Sequence, residues 1–176
     1  MKYEITKKKK RGQRTLYRIK ALKNFGKVKA GDLGGWIEGE SNLSQEGNAW
    51  VANDAKVSGD SVVSGDSVVY GDAWVSGNAQ VFGNAQVFGN AKVSGNAKVF
   101  GNARVSGNAQ VFGDAQVFGN AKVSGDAVVF GNARVSGNAQ VFGNAQVYGD
   151  AWVYGDAKVY GKARLSRAGL WKSSGL

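Results

Sequence analysis

The 176-residue chain holds 27 Gly and no Pro, Cys or His, and it carries a formal net charge of +10. That length suits one domain, and without cysteine or histidine there is no disulfide framework, no thiolate nucleophile and no ordinary zinc site. The charge is unevenly placed, because residues 1–30 hold 12 Lys/Arg against the single acid Glu4, whereas residues 31–176 are close to neutral.

At the N-terminus, Lys2–Thr6 (KYEIT) and Thr15–Leu22 (TLYRIKAL) alternate apolar and polar residues around the basic segment Lys7–Arg14 (KKKKRGQR). This pattern reads as a hairpin with a basic turn. Lys7, Lys8, Lys9, Lys10, Arg11 and Arg14, with Arg18 beyond them, make either a solvated loop or a surface for nucleic acid or an acidic protein, and Tyr3 and Tyr17 are available for stacking. No apolar run has the length of a secretory signal or a membrane span, so the expectation is a soluble intracellular protein with no membrane partner. Gly31–Glu40 (GDLGGWIEGE) has the glycines of an irregular turn, and its Trp36 and Ile37 suit a plug over an open end. Residues 1–46 are therefore expected to be a basic hairpin and capping segment.

From Gly47 to Ser166 the chain is twenty hexads without insertion or deletion, of the form G-[N/D]-A-x-V-[S/F/Y]. Gly opens all but the hexad at Asn53, Asn or Asp follows in all but that at Lys162, and the fifth residue is Val until Leu165. Within each hexad A-x-V alternates as a strand does, so Ala and Val face inward and x outward. Gly-Asn and Gly-Asp accept positive φ and turn the chain after each short strand. A triangular coil then takes three hexads per turn, and twenty hexads make about 6.7 turns, on the order of 32 Å long at roughly 4.8 Å per turn. No hexad buries its apolar face alone, so the ends need caps. Residues 167–176 follow as a C-terminal cap or tail in which Trp171, next to Leu170, is the expected plug.

A Val with a small residue two positions before it, repeated every six residues, resembles the hexapeptide-repeat left-handed β-helix family over roughly residues 47–166. The resemblance implies an all-β, left-handed parallel β-helix with an N-terminal hairpin cap; periodicity alone does not give the handedness. Phe25–Val51 (FGKVKAGDLGGWIEGESNLSQEGNAWV) is similar to the entry segment of enterobacterial and prophage hexapeptide-repeat proteins, mostly described as transferase-like. That likeness suggests a phage or prophage origin, in a bacterial cytoplasm or on a virion. Acyltransferases of the family use a His as general base, and the related carbonic anhydrases bind zinc through His. This chain has no His, so the expectation is no enzyme, no metal and no cofactor. Calcium β-rolls need nine-residue repeats, and the glycines, spaced by six, form no phosphate loop.

The sixth hexad position stacks with residues 18 apart. One ladder contains Phe82, Phe100 and Phe118, ending near Tyr154; a second contains Phe112, Phe130 and Tyr148; shorter ones pair Tyr70 with Phe88 and Phe142 with Tyr160. Such rows either stabilise neighbouring turns or mark lateral association. The x positions carry no continuous basic stripe, which disfavours nucleic acid along the coil. Residues 76–105 and 106–135 differ only at Asn84/Asp114, Asn96/Asp126 and Lys98/Val128. Thirty residues are five hexads, so this copy turns every outward side chain onto a different face. The expectation is a non-enzymatic structural or protein-interaction module that self-associates, as a trimer by family analogy. The alternatives are an inhibitor or adaptor whose basic head binds nucleic acid or an acidic host defence protein, and an acyl or sugar transferase.

Overall fold

The computed structural model describes residues 1–167 and, as backbone only, a strand at Leu170–Trp171. The expected plug at Trp171 lies outside the described side chains. From Trp50 onward the chain is a succession of two-residue strands, x-Val pairs such as Lys56–Val57 as far as Lys158–Val159, and within the coil each pairs in parallel with the strands 18 residues before and after it where these exist. The result is an all-β parallel solenoid of about seven turns with three faces. Face I carries Trp50, Val68, Gln86, Arg104, Lys122, Gln140 and Lys158 outward. Face II carries Lys56, Trp74, Lys92, Gln110, Val128, Gln146 and Arg164. Face III carries Val62, Gln80, Lys98, Gln116, Arg134 and Trp152.

The interior is what alternation demands: every hexad valine from Val51 to Val153 has no exposed surface, and the alanines beside them are equally buried from Ala49 to Ala145. Where Ser61 and Ser67 replace Ala, each hydroxyl donates to the carbonyl three residues before it, Ser58 at 2.7 Å and Ser64 at 2.8 Å, so the buried polar atom is satisfied. The corner glycines adopt φ between 61° and 73°. Asn53, the one hexad opener that is not Gly, adopts the same conformation at φ 56°.

Backbone bonds between coils all run one way. Lys92 N donates to Ala109 O, Ser94 N to Val111 O and Asn96 N to Gly113 O, at 2.8–2.9 Å, so carbonyls point toward the N-terminal end. The first coil would leave a ring of bare carbonyls there, each costly to bury unpaired. The head fills it. Strand β1 (Tyr3–Arg11) and strand β2 (Arg14–Ala21) form an antiparallel hairpin, and strand β3 (Leu33–Ile37) joins it to face II, giving that sheet ten strands. Trp36 N and Glu38 N donate to Ala55 O and Val57 O, Ser44 N to Val63 O, and the Asn42 side-chain amide to Gly59 O and Ser61 O at 2.8 and 2.9 Å. Lys2 Nζ donates to Ala49 O at 2.8 Å and Glu46 O at 3.3 Å. Tyr3, Ile19, Ile37 and Leu43 close the apolar end, and the Tyr3 hydroxyl donates to Leu43 O at 2.8 Å.

Two expectations for the head are corrected. The basic segment is not a loop: β1 continues through Arg11 and only Gly12–Gln13 turn, with Arg11 paired to Arg14 and Gly12 at φ 62°. A bulge between Ile5 and Lys8 absorbs the mismatch between the arms. Of the expected plug pair, Ile37 is wholly buried beside Val57, whereas Trp36 pairs with Lys56 and so points to the outside of face II. Alternation along β3 allows only one of two adjacent residues inside.

Candidate interaction surfaces

The hairpin folds its cations back onto the coil. Arg18 lies over the Trp36 ring at 5.2 Å and pairs with Asp54 at 3.2 Å; Lys9 lies over the same ring at 5.6 Å, and Arg11 over Trp74 at 5.0 Å. Arg14 Nη1 donates to Glu38 Oε2 at 2.7 Å, and the same oxygen accepts from Gly59 N at 2.7 Å. The Gly59 N–H and then Arg14 hold the Glu38 carboxyl below its ordinary range; Trp36 Nε1 and then Arg18 do so for Asp54. Burial lowers the Lys56 ammonium, which Arg11 assists. Of the residues expected to form a basic binding surface, Lys9, Arg11, Arg14 and Arg18 thus attach the head, while Lys7, Lys8 and Lys10 are exposed and have no ion pair or ring partner among the described residues. β1 is the free edge of its sheet, where lysines also oppose unwanted strand addition.

The aromatic ladders are present as stacks. Phe82–Phe100 and Phe100–Phe118 have ring centroids 4.9 Å apart and planes within 3°, at the corner between faces III and I. Phe112–Phe130 and Phe130–Tyr148 stack at 5.2 and 5.0 Å at the corner between faces II and III. Each ring covers its neighbour, so these side chains are half-buried. Where the first ladder is interrupted by Ser136, the Trp152 indole leans in and donates to Ser136 Oγ at 3.0 Å; Trp74 does the same to Ser58. Trp152 nonetheless remains 39% exposed.

Beside these stacks run polar ladders that hexad periodicity did not reveal. Asn84 donates to Asn102, Asn102 to Asn120, Asn120 to Asn138 and Asn138 to Asp156, at 2.9–3.2 Å. Asn78 donates to Asn96, which donates to Asp114, and Asn108 donates to Asp126. An ionised Asp only accepts, so its place at the C-terminal end of each ladder fixes the direction of every amide above it. A cleft of about 310 Å³ lies beside Phe82, lined also by Val62, Ser64 and Gln80, and one of about 540 Å³ lies between the Gly26–Val28 loop and the Trp50, Asp66 and Gln86 region of face I.

Charge on the coil is sorted by position. The twenty x residues include eight Lys or Arg and no acid, while the second hexad positions hold eight Asp and one Lys. Flat faces are therefore cationic and corners anionic. Among the described residues no face cation pairs with a corner carboxylate; Asp54 alone is bridged, by Arg18 of the head.

Residues 97–113, 115–131, 139–155 and 145–161 match the family model described as the YdcK beta solenoid repeat. The chain is a repeat β-solenoid. The matches lie within residues 97–161 and include Phe100, Phe112, Phe118, Phe130 and Tyr148, but neither Phe82 nor any head residue. No curated protein matches the chain.

Proposed function

We propose that the protein is a non-enzymatic structural or protein-interaction module: a stiff hexapeptide-repeat coil, of phage or prophage origin, that self-associates side by side in the bacterial cytoplasm or on a virion. The observation that carries this reading is the sorted surface, cationic on every face and anionic at every corner, with its charges unpaired within the coil. Such a surface complements a second copy of itself and discourages random face-to-face contact. The resemblance of Phe25–Val51 to prophage proteins supports the origin. Light scattering on the purified chain at rising concentration tests the role: the mass should climb above 18.5 kDa and fall back in high salt. A constant monomer mass would dispose of it.

A second reading rests on Lys7, Lys8 and Lys10, left free on the edge strand: a head that binds nucleic acid or an acidic protein. Binding to such a polyanion should be lost when all three become Ser, with the coil still folded.

A further inference from the structure

We infer that the partner is a second copy of this chain docked antiparallel, face III on face III, with a two-fold axis level with the gap between the Gln116 and Arg134 rungs. This rests on the self-association proposed above and specifies its surface. Face III is the candidate because the head's other contacts fall elsewhere. The hairpin reaches Trp36 and Trp74 on face II, and Phe25 packs against Trp50 of face I with ring centroids at 5.4 Å. Face III also bears Trp152, whose exposed ring is the kind of anchor that interfaces use.

Of the antiparallel registers in which four or more of the six described rungs overlap, charge leaves one; the register centred between Gln80 and Lys98, for instance, sets Asp60 against Asp114. In an antiparallel pair with its two-fold lying across the face, each corner meets the same corner of the other copy, and rungs meet in mirrored order about the axis. An axis level with Lys98 sets that lysine against itself, and one level with Arg134 does the same to the arginine. An axis level with Gln116 sets Lys98 against Arg134. An axis between Lys98 and Gln116 avoids those clashes but brings Asp60 opposite Asp150 at one corner and Asp66 opposite Asp156 at the other, since these stand on the first and sixth rungs.

One rung further on, no like charges meet. Lys98 then faces Trp152, and Arg134 faces Gln116. At the two corners Asn96 faces Asp150, Asp114 faces Asn132 and Asn102 faces Asp156, so amide donors meet carboxylates of the other copy, while Phe112 meets Phe130. The contact spans four rungs, about 19 Å at roughly 4.8 Å each. The near-identical blocks 76–105 and 106–135 bear on this as well. All three differences between them change charge at outward positions, and three of the changed residues, Asn96, Lys98 and Asp114, belong to the contact.

The test uses the full chain, whose lack of cysteine makes added thiols unambiguous. Separate Asn102→Cys and Asp156→Cys proteins are mixed and oxidised. The mixture should give a disulfide-linked heterodimer, whereas Asn102→Cys alone should not, its two copies lying about three rungs, roughly 14 Å, apart. In parallel, Gln116→Glu should tighten the dimer roughly tenfold or more by facing Arg134, and Gln116→Arg should weaken it by as much, with circular dichroism confirming the coil in both. Association that persists without the 102–156 link and ignores both Gln116 variants overturns this register while leaving self-association standing. A chain that stays monomeric at every concentration overturns both.

Discussion

Replacing Gly101 by Ala tests the corner geometry on which the coil depends. Gly101 sits at φ 68°, and a Cβ there would lie 3.0 Å from Gly119 N and 3.1 Å from Gly119 O of the next coil. The left-handed conformation costs an ordinary L residue roughly 1–2 kcal/mol. Relieving the crowding means parting two coils by a few tenths of an ångström against the Asn102 N to Gly119 O bond of 2.8 Å. The expected total for Gly101→Ala is about 2–3 kcal/mol. Asn should cost less, about 1 kcal/mol, because it tolerates this conformation better than Ala. The chain already holds that case at Asn53, where the equivalent bond, Asp54 N to Gly71 O, is stretched to 3.1 Å. Urea titration followed by far-ultraviolet circular dichroism measures both. The reasoning is refuted if Ala costs no more than Asn, or if either costs less than about 0.5 kcal/mol.

Phe100→Ser removes two stacked contacts and should cost about 1–3 kcal/mol by the same titration while leaving the coil folded; unfolding at room temperature would show the ladder to be part of the core. The buried cap should give stability a peak in pH. Burial, with help from Lys23 and against Asp66, lowers Lys2 to about 8 from 10.5, so between those values the unfolded chain holds the extra proton and stability rises with pH. Burial, then Glu40, raises Tyr3 to about 12 from 10.0, so from pH 10 to 12 the folded chain holds the extra proton and stability falls. Lys2→Met should remove the rising limb and Tyr3→Phe the falling one; an unchanged profile in either variant contradicts the cap. Deleting the hexad Gly119–Ser124 should keep a folded coil, since every inner position is refilled by an equivalent residue, whereas deleting only Gly119–Ala121 should disorder the coils C-terminal to the cut, as read by amide exchange.

The body of this protein was legible because its physics is local. One hexad states which residue points inward and where the chain turns, and Val111 or Ala115 is buried for the same reason as its counterparts in the other coils. The ladders of aromatic rings followed from the 18-residue turn, but the asparagine ladders did not, because Asn reads first as a turn residue and its side-chain donor matters only once coils are stacked. The head was less legible still. Lys2 looks like one more surface cation, yet it is buried because carbonyls more than forty residues away lack donors, a need that arises only when the first coil closes. Likewise Lys9 and Arg11 read as part of a free basic turn and Arg18 as a cation beyond it, since the tryptophans they cover belong to other elements.

Sedimentation velocity on the unmodified chain, from about 1 to several hundred micromolar, tests the central claim that these coils associate through their sorted charge. The account predicts a boundary that moves from monomer to dimer with concentration at moderate salt and returns to monomer at about 1 M salt, where charges are screened beyond roughly 3 Å. A single monomer boundary throughout, or a dimer indifferent to salt, would contradict it.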